Sequence, residues 1–158
     1  MPEEQQIQVN GSVRSIAGDP DRSLLGVLRD EMGLTGAKYG CGEAQCGACV
    51  VLLDGQPVPA CVTTVRSVEG GAVLTIEGLE QDGQLHPVQE AFLEADALQC
   101  GYCTPGMILA VVALLARNAD PSEPEIIEAL QKHLCRCGVY RRIVTAVRLA
   151  ARHMEEPR

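Results

Sequence analysis

Three cysteines fall within nine residues in Gly40-Cys41-Gly42-Glu43-Ala44-Gln45-Cys46-Gly47-Ala48-Cys49, and a fourth, Cys61, follows after eleven more. The pattern Cys41-x4-Cys46-x2-Cys49-x11-Cys61 has the plant-type spacing for a 2Fe–2S cluster, with three thiolates on one loop and one from a later segment. Two ferric ions, two sulfides and four thiolates sum to roughly −2, and that charge needs hydrogen-bond donors. Gly40, Gly42 and Gly47 let the backbone curl and aim N–H groups at the sulfurs, in conformations that a Cβ would resist. A zinc site more often shows two C-x2-C knuckles, which this group lacks. Zinc and buried free thiols are the weaker alternatives.

The second group is Cys100-x2-Cys103, then thirty-one residues, then Cys135-x-Cys137. Alone it is less specific. A C-x2-C paired with a C-x-C suits an iron–sulfur cluster, a zinc ion or a redox dithiol. Each pair lies at a predicted helix boundary beside Gly101 or Gly138, where helix N-termini can offer amides to an anionic cluster.

Eight cysteines in 158 residues therefore carry the chemistry, and the rest of the composition narrows the class. The chain starts Met1-Pro2-Glu3-Glu4, the reverse of a basic signal peptide, which predicts a cytoplasmic setting that keeps thiols reduced. Thirteen Lys and Arg against 21 Asp and Glu leave −8, which disfavours nucleic acid as a partner. The longest apolar run, Met107 to Ala116, is ten residues, too short for membrane insertion. Aromatics are only 3%, so the core must be aliphatic.

Patterning divides the chain near Glu80. Before it, Ile7 and Val9 alternate with polar residues, Asn10-Gly11 signals a hairpin, and Val13 and Ile16 lie on the return strand. Asp21 or Ser23 can cap a short helix bearing Leu24, Leu25 and Leu28 and ended by Gly33. Val50–Leu53 is an apolar strand turned by Asp54-Gly55, and a last strand spans about Ala72 to Ile76. After a linker from Gly78 to Gly83, the period becomes helical. Helices are predicted from Pro87, from Thr104-Pro105, from the capping box Ser122-Glu123-Pro124-Glu125, and from Val139 to about Met154. The second of these is apolar on every face and belongs in the middle of the helical half. The boundary divides the cysteines four and four.

The motif from Gly40 to Cys49, the segment Gln99-Cys100-Gly101-Tyr102-Cys103-Thr104-Pro105-Gly106-Met107, and Cys135-Arg136-Cys137-Gly138-Val139-Tyr140 occur together and in order. With them the chain resembles the small iron–sulfur subunit, or fused N-terminal domain, of the molybdenum hydroxylases (the xanthine oxidase and aldehyde oxidoreductase family), over about Ile7 to Ala151. The resemblance implies an α+β fold. A β-grasp plant-type ferredoxin domain over residues 1–79 would hold one 2Fe–2S cluster on Cys41, Cys46, Cys49 and Cys61. A four-helix bundle domain over residues 80–158 would hold a second on Cys100, Cys103, Cys135 and Cys137. It also implies that Gln99 and Cys137 touch the pterin of a molybdenum cofactor, in a dinucleotide form, bound in a large partner subunit. Electrons would run from molybdenum through the helical-domain cluster, then the other, to a FAD-binding subunit, a cytochrome c subunit or another acceptor.

The remaining residues point nowhere else. His86, His133 and His153 share no ligand spacing and read as satisfied surface or core histidines. From Lys132 onward seven basic and two acidic residues give +5, a solvated face or a docking surface for an anionic cofactor tail or an acidic partner. Met107 reads as core packing. No nucleophile–base pair suggests a substrate site.

Overall fold

The computed structural model describes residues 4–155, so Met1, Pro2 and Glu3 of the acidic start, and residues 156–158, lie outside it. Asn10-Gly11 turns the antiparallel hairpin of β1 (Glu4–Val9) and β2 (Ser12–Ala17), with Asn10 and Gly11 at φ 50° and 77°. Alternation sends Gln5, Ile7 and Val9 inward, while Val13 faces out and Ile16 in. Next comes α1 (Leu24–Gly26), which continues through a wider π-type turn, Val27–Glu31. Ser23 caps it, its hydroxyl accepting from the Gly26 N–H at 3.2 Å. The other candidate, Asp21, instead pairs with Arg66 at 3.0 Å.

β3 (Val50–Leu53) runs antiparallel to both β4 (Gln56–Pro59) and β5 (Ala72–Leu74), giving the strand order β2-β1-β5-β3-β4. β5 pairs in parallel with β1. The sequence pattern predicts no strand at β4; the sheet tolerates its Pro57 and Pro59 because β4 is an edge. β5 also ends two residues early. At Thr75 the side chain of Asn10 replaces strand pairing, accepting from the Thr75 N–H and donating to its hydroxyl, both at 2.9 Å, and Ile76–Gly78 closes as a 3-10 turn.

Four helices follow: α2 (Pro87–Glu94), α3 (Thr104–Arg117), α4 (Glu123–Leu130) and α5 (Tyr140–Glu155). Helix α2 packs on α3 and α5, and α4 likewise packs on α3 and α5. None of the described helices is long and apolar enough to cross a membrane. His86 caps α2, its Nδ1 accepting from the Val88 N–H at 3.2 Å, and the Glu125 carboxylate closes the start of α4 on the Ser122 N–H at 2.7 Å. Leu79, inside the predicted linker, is buried in the core of the helices.

Two aliphatic cores result, as the scarcity of aromatics requires. Leu24, Leu25, Val27 and Leu28 meet Ile7, Val9, Val51 and Val73 on one side of the sheet. On the other side Leu52 joins Phe92, Met107, Val111 and Ile143. Successive residues Val51 and Leu52 thus serve different cores, because strand side chains alternate. Helix α3, expected in the middle of the helical half, is that and also a lid on β3 and β4.

Candidate functional site

The loop carrying the first cysteine group is shaped by backbone geometry. Gly42, Ala44 and Gly47 have φ of 71°, 58° and 72°, left-handed values that turn successive amides inward. The N–H groups of Glu43 and Gln45 donate to the Cys41 sulfur at 3.4 and 3.3 Å, and the Cys41 N–H donates to the Cys46 sulfur at 3.4 Å. The Glu43 and Gln45 amides hold the Cys41 thiol down at about 7. Cys49 is the opposite case. Burial pushes its thiol up to about 12, reinforced by the neighbouring sulfurs of Cys61 and Cys46. Gly40 packs so close that a Cβ would meet the Cys46 sulfur at 2.7 Å.

The second group is assembled from helix ends. Cys103 immediately precedes α3, with Pro105 in the first turn. Cys135 and Cys137 precede α5, and the Cys135 N–H donates to the Tyr140 hydroxyl at 2.7 Å. Burial pushes the Cys103 thiol up to about 12, with Cys135 and Cys100 adding to it. Burial also acts to raise Cys135, but the amides of Val139, Gly138 and Cys137 and the thiol of Cys103 outweigh it and hold Cys135 below the ordinary thiol range.

In each group, therefore, one sulfur is stabilised as thiolate by amides while another is crowded by sulfurs that disfavour its charge. Cations resolve that conflict, because thiolate is the ligating form and metal binding releases the protons. Among the described residues no three His, Cys, Asp or Glu side chains gather tightly enough to hold a single metal ion. The thiols interact most directly as pairs, Cys49 with Cys61 and Cys103 with Cys135. Four cysteines in each half, with N–H donors on Cys41 and Cys46 in one and on Cys135 in the other, suit a binuclear iron–sulfur centre.

The two groups meet at a close junction. The Leu134 N–H donates to the Cys46 carbonyl at 2.9 Å, and the Tyr102 hydroxyl donates to the Tyr39 carbonyl at 2.5 Å. A Cβ on Gly106 would stand 2.1 Å from the Gly47 carbonyl oxygen. Sequence reasoning does not find these tyrosine hydroxyl contacts, yet a signal exists: all three tyrosines in the chain, Tyr39, Tyr102 and Tyr140, adjoin cysteine motifs.

The other predicted residues fall in different places. Gln99 and Cys100 are exposed and Cys137 is half-buried, so this edge of the second group faces outward. Met107 is core. His86 is the α2 cap and His153 lies 3.6 Å from Glu94, both accounted for by protein contacts. His133 departs from the expected satisfied histidine: it is 6% exposed, and neither ring nitrogen has a hydrogen-bond partner. Part of the basic C-terminal stretch is spent internally, Arg142 on Asp96 and Arg148 on Glu123.

Comparison with known proteins supports this geometry. Residues 7–75 match the 2Fe-2S iron-sulfur cluster binding domain, and residues 75–148 match the [2Fe-2S] binding domain. The nicotinate dehydrogenase small FeS subunit of Eubacterium barkeri is 46% identical over 144 residues, covering 91% of this chain and 92% of that protein. The aldehyde oxidoreductase of Megalodesulfovibrio gigas is 47% identical over 148 residues, 92% of this chain but only 16% of its own length. The crystal structure of quinoline 2-oxidoreductase from Pseudomonas putida 86 superposes with a TM-score of 0.92 at 36% identity, covering 98% of this chain and 96% of the matched one. With its two cysteine groups, sheet half and helical half matched along nearly its whole length, this chain belongs to the small 2Fe–2S subunits of the molybdenum hydroxylases.

Proposed function

We propose that this chain relays electrons for a molybdenum hydroxylase through two 2Fe–2S clusters. Residues 1–79 form the β-grasp ferredoxin domain and residues 80–158 the four-helix bundle domain. Cys41, Cys46, Cys49 and Cys61 ligate one cluster, and Cys100, Cys103, Cys135 and Cys137 the other. The observation that carries this is the junction of the two cysteine groups, one backbone hydrogen bond running from Leu134, beside Cys135, to Cys46. When bound, the clusters supply one-electron chemistry between reduced molybdenum in the partner and a flavin, cytochrome or other acceptor. The chain's own part is to hold thiolates, aim amides at them, keep Cys49 and Cys103 away from water, and bring the two groups together.

The partner in this reading is a large subunit whose molybdenum cofactor, in a dinucleotide form, lies against Gln99 and Cys137. The cytoplasmic setting belongs to the same proposal. A Gln amide offers a donor and an acceptor, which suits the edge of a pterin, and Gln99 is exposed in the chain alone, where a partner can reach it. The matched share of the M. gigas aldehyde oxidoreductase is consistent with a subunit that works against a much larger neighbour.

The test is direct. Purified protein should be red-brown, with about four irons and four acid-labile sulfides per chain, and should show two distinct EPR signals on reduction. Colourless protein holding zinc would refute the relay. Gln99→Leu should keep full iron yet weaken retention of the molybdenum subunit's cofactor, since unmet pterin groups cost about 1–3 kcal/mol. Full retention would remove Gln99 from the site.

A further inference from the structure

Just before the first cysteine loop, residues 35–37 lie in neither helix nor strand, yet side chains hold all three of their carbonyls. Arg29 donates to the Thr35 and Ala37 carbonyls at 2.9 and 2.7 Å. The Lys38 ammonium donates to those of Thr35 and Gly36 at 2.5 and 3.1 Å. From far along the chain comes Glu77, whose carboxylate accepts from the Gly36 N–H at 2.7 Å and the Thr75 hydroxyl at 2.6 Å. Thr75 is 1% exposed and its hydroxyl also accepts from Asn10 at 2.9 Å, so the carboxylate is itself held in place. Gly36 is pressed on the same turn: a Cβ there would meet Ile76 Cγ2 at 2.1 Å and the Glu77 carboxylate at 2.8 Å. Ile76 in turn packs against the core of the helices. Directly after this segment the Lys38 N–H donates to the Ala48 carbonyl at 2.9 Å, closing a neck under the loop that carries Cys41 and Cys46.

We propose that Glu77 is a positioning residue: through Gly36 it anchors the neck of the first cysteine loop to the turn where the sheet meets the helices. The thiolates of Cys41 and Cys46 are thereby held where they ligate, a role that rests on the two-cluster reading. Left-handed residues within the loop aim its amides, whereas the neck fixes where the loop as a whole stands. Both groups that Glu77 accepts from are neutral, an amide and a hydroxyl. A neutral acceptor of the same shape can therefore replace it. Gly36 has to lack a side chain because the turn of Ile76 and Glu77 lies against it.

The test follows hydrogen exchange in the chain as purified, by mass spectrometry over the peptide 37–48, which excludes Gly36. Glu77→Ala should speed exchange there about tenfold, the effect of losing one charge-assisted hydrogen bond at the neck. It should also quicken chelator removal of the centre whose EPR signal survives in Cys103→Ser, and leave the decay of the other signal unchanged. Glu77→Gln should restore both, since its amide oxygen accepts from Gly36 and its NH2 donates to the Thr75 hydroxyl, an oxygen able to take two donors. A general loss of stability would act on both centres alike. Unchanged exchange over 37–48 in Glu77→Ala overturns the anchor, as does equal quickening at both centres or a Glu77→Gln that behaves like the alanine. Absence of any iron–sulfur signal from the unmodified protein would instead refute the cluster reading, and the exchange over 37–48 would still decide the anchor.

Discussion

The two cysteine groups do similar chemistry with different architecture. In the first, three of four sulfurs sit on one loop, and that loop supplies its own amides through three left-handed residues. In the second, sulfurs from residues 100–103 and 135–137 meet only after α2, α3, α4 and α5 have packed. The first is a local structure that folds around its ligand. The second is a tertiary structure whose cysteines sit near helix starts, so its geometry inherits any error in helix packing. Loss of a ligand should therefore act differently in the two halves.

Iron removal tests that difference at its largest. Each half has limited aliphatic core, so cluster ligation should supply folding free energy directly. Chelation under reducing conditions should lower Tm sharply; an unchanged thermal transition in iron-free protein would contradict this. Cys103→Ser should halve the iron content and destabilise the helices while the loop of Cys41 keeps its own centre. Loss of both centres in this variant would show that the halves are not separable.

The junction between the groups comes next in size. Gly106→Ala forces a methyl to 2.1 Å from the Gly47 carbonyl, a backbone atom that cannot rotate away. A cost of about 3 kcal/mol is expected, at the upper end of ordinary overpacking, read by denaturant unfolding. A neutral result would mean that the two halves slide freely.

A smaller, chemical contrast lies in thiol reactivity. In iron-free, reduced protein at pH 7, iodoacetamide should label Cys41 first. Its thiol is held at about 7, whereas Cys49 and Cys103 are pushed up to about 12. Peptide mapping with Cys49 or Cys103 labelled ahead of Cys41 would reverse the assignment. The rate at Cys41 should rise with pH through about 7 and then level off.

The smallest effect is a helix cap in the half that depends on packing. Ser122, through its hydroxyl and amide, lowers the Glu125 carboxyl. A depressed carboxylate contributes stability above its ordinary pKa and loses it as pH falls through the folded value. The Tm deficit of Glu125→Gln should thus be present at neutral pH and vanish in acid. A deficit that is independent of pH would mean the cap acts by shape alone.

Spacing and turn chemistry carried much of this protein in one dimension. Asn10-Gly11 placed the first hairpin, Asp21 or Ser23 and then Ser122 marked helix starts, and the first cysteine group declared its ligand class, because a loop that curls around its own sulfurs needs only neighbouring residues. Other features were invisible there. Strand β4 contradicts its own prolines and exists because β3 offers an edge. The end of β5 is set by Asn10, far away in sequence. Val51 and Leu52 look alike in sequence, yet they serve opposite cores. His133 reads as an ordinary histidine until Gly47 and Gly106 close around it. Local hydrogen bonding and backbone strain are properties of adjacent residues, and so the sequence by itself determined them. Which surfaces meet depends on burying apolar area from segments dozens of residues apart, and that only the tertiary structure decided.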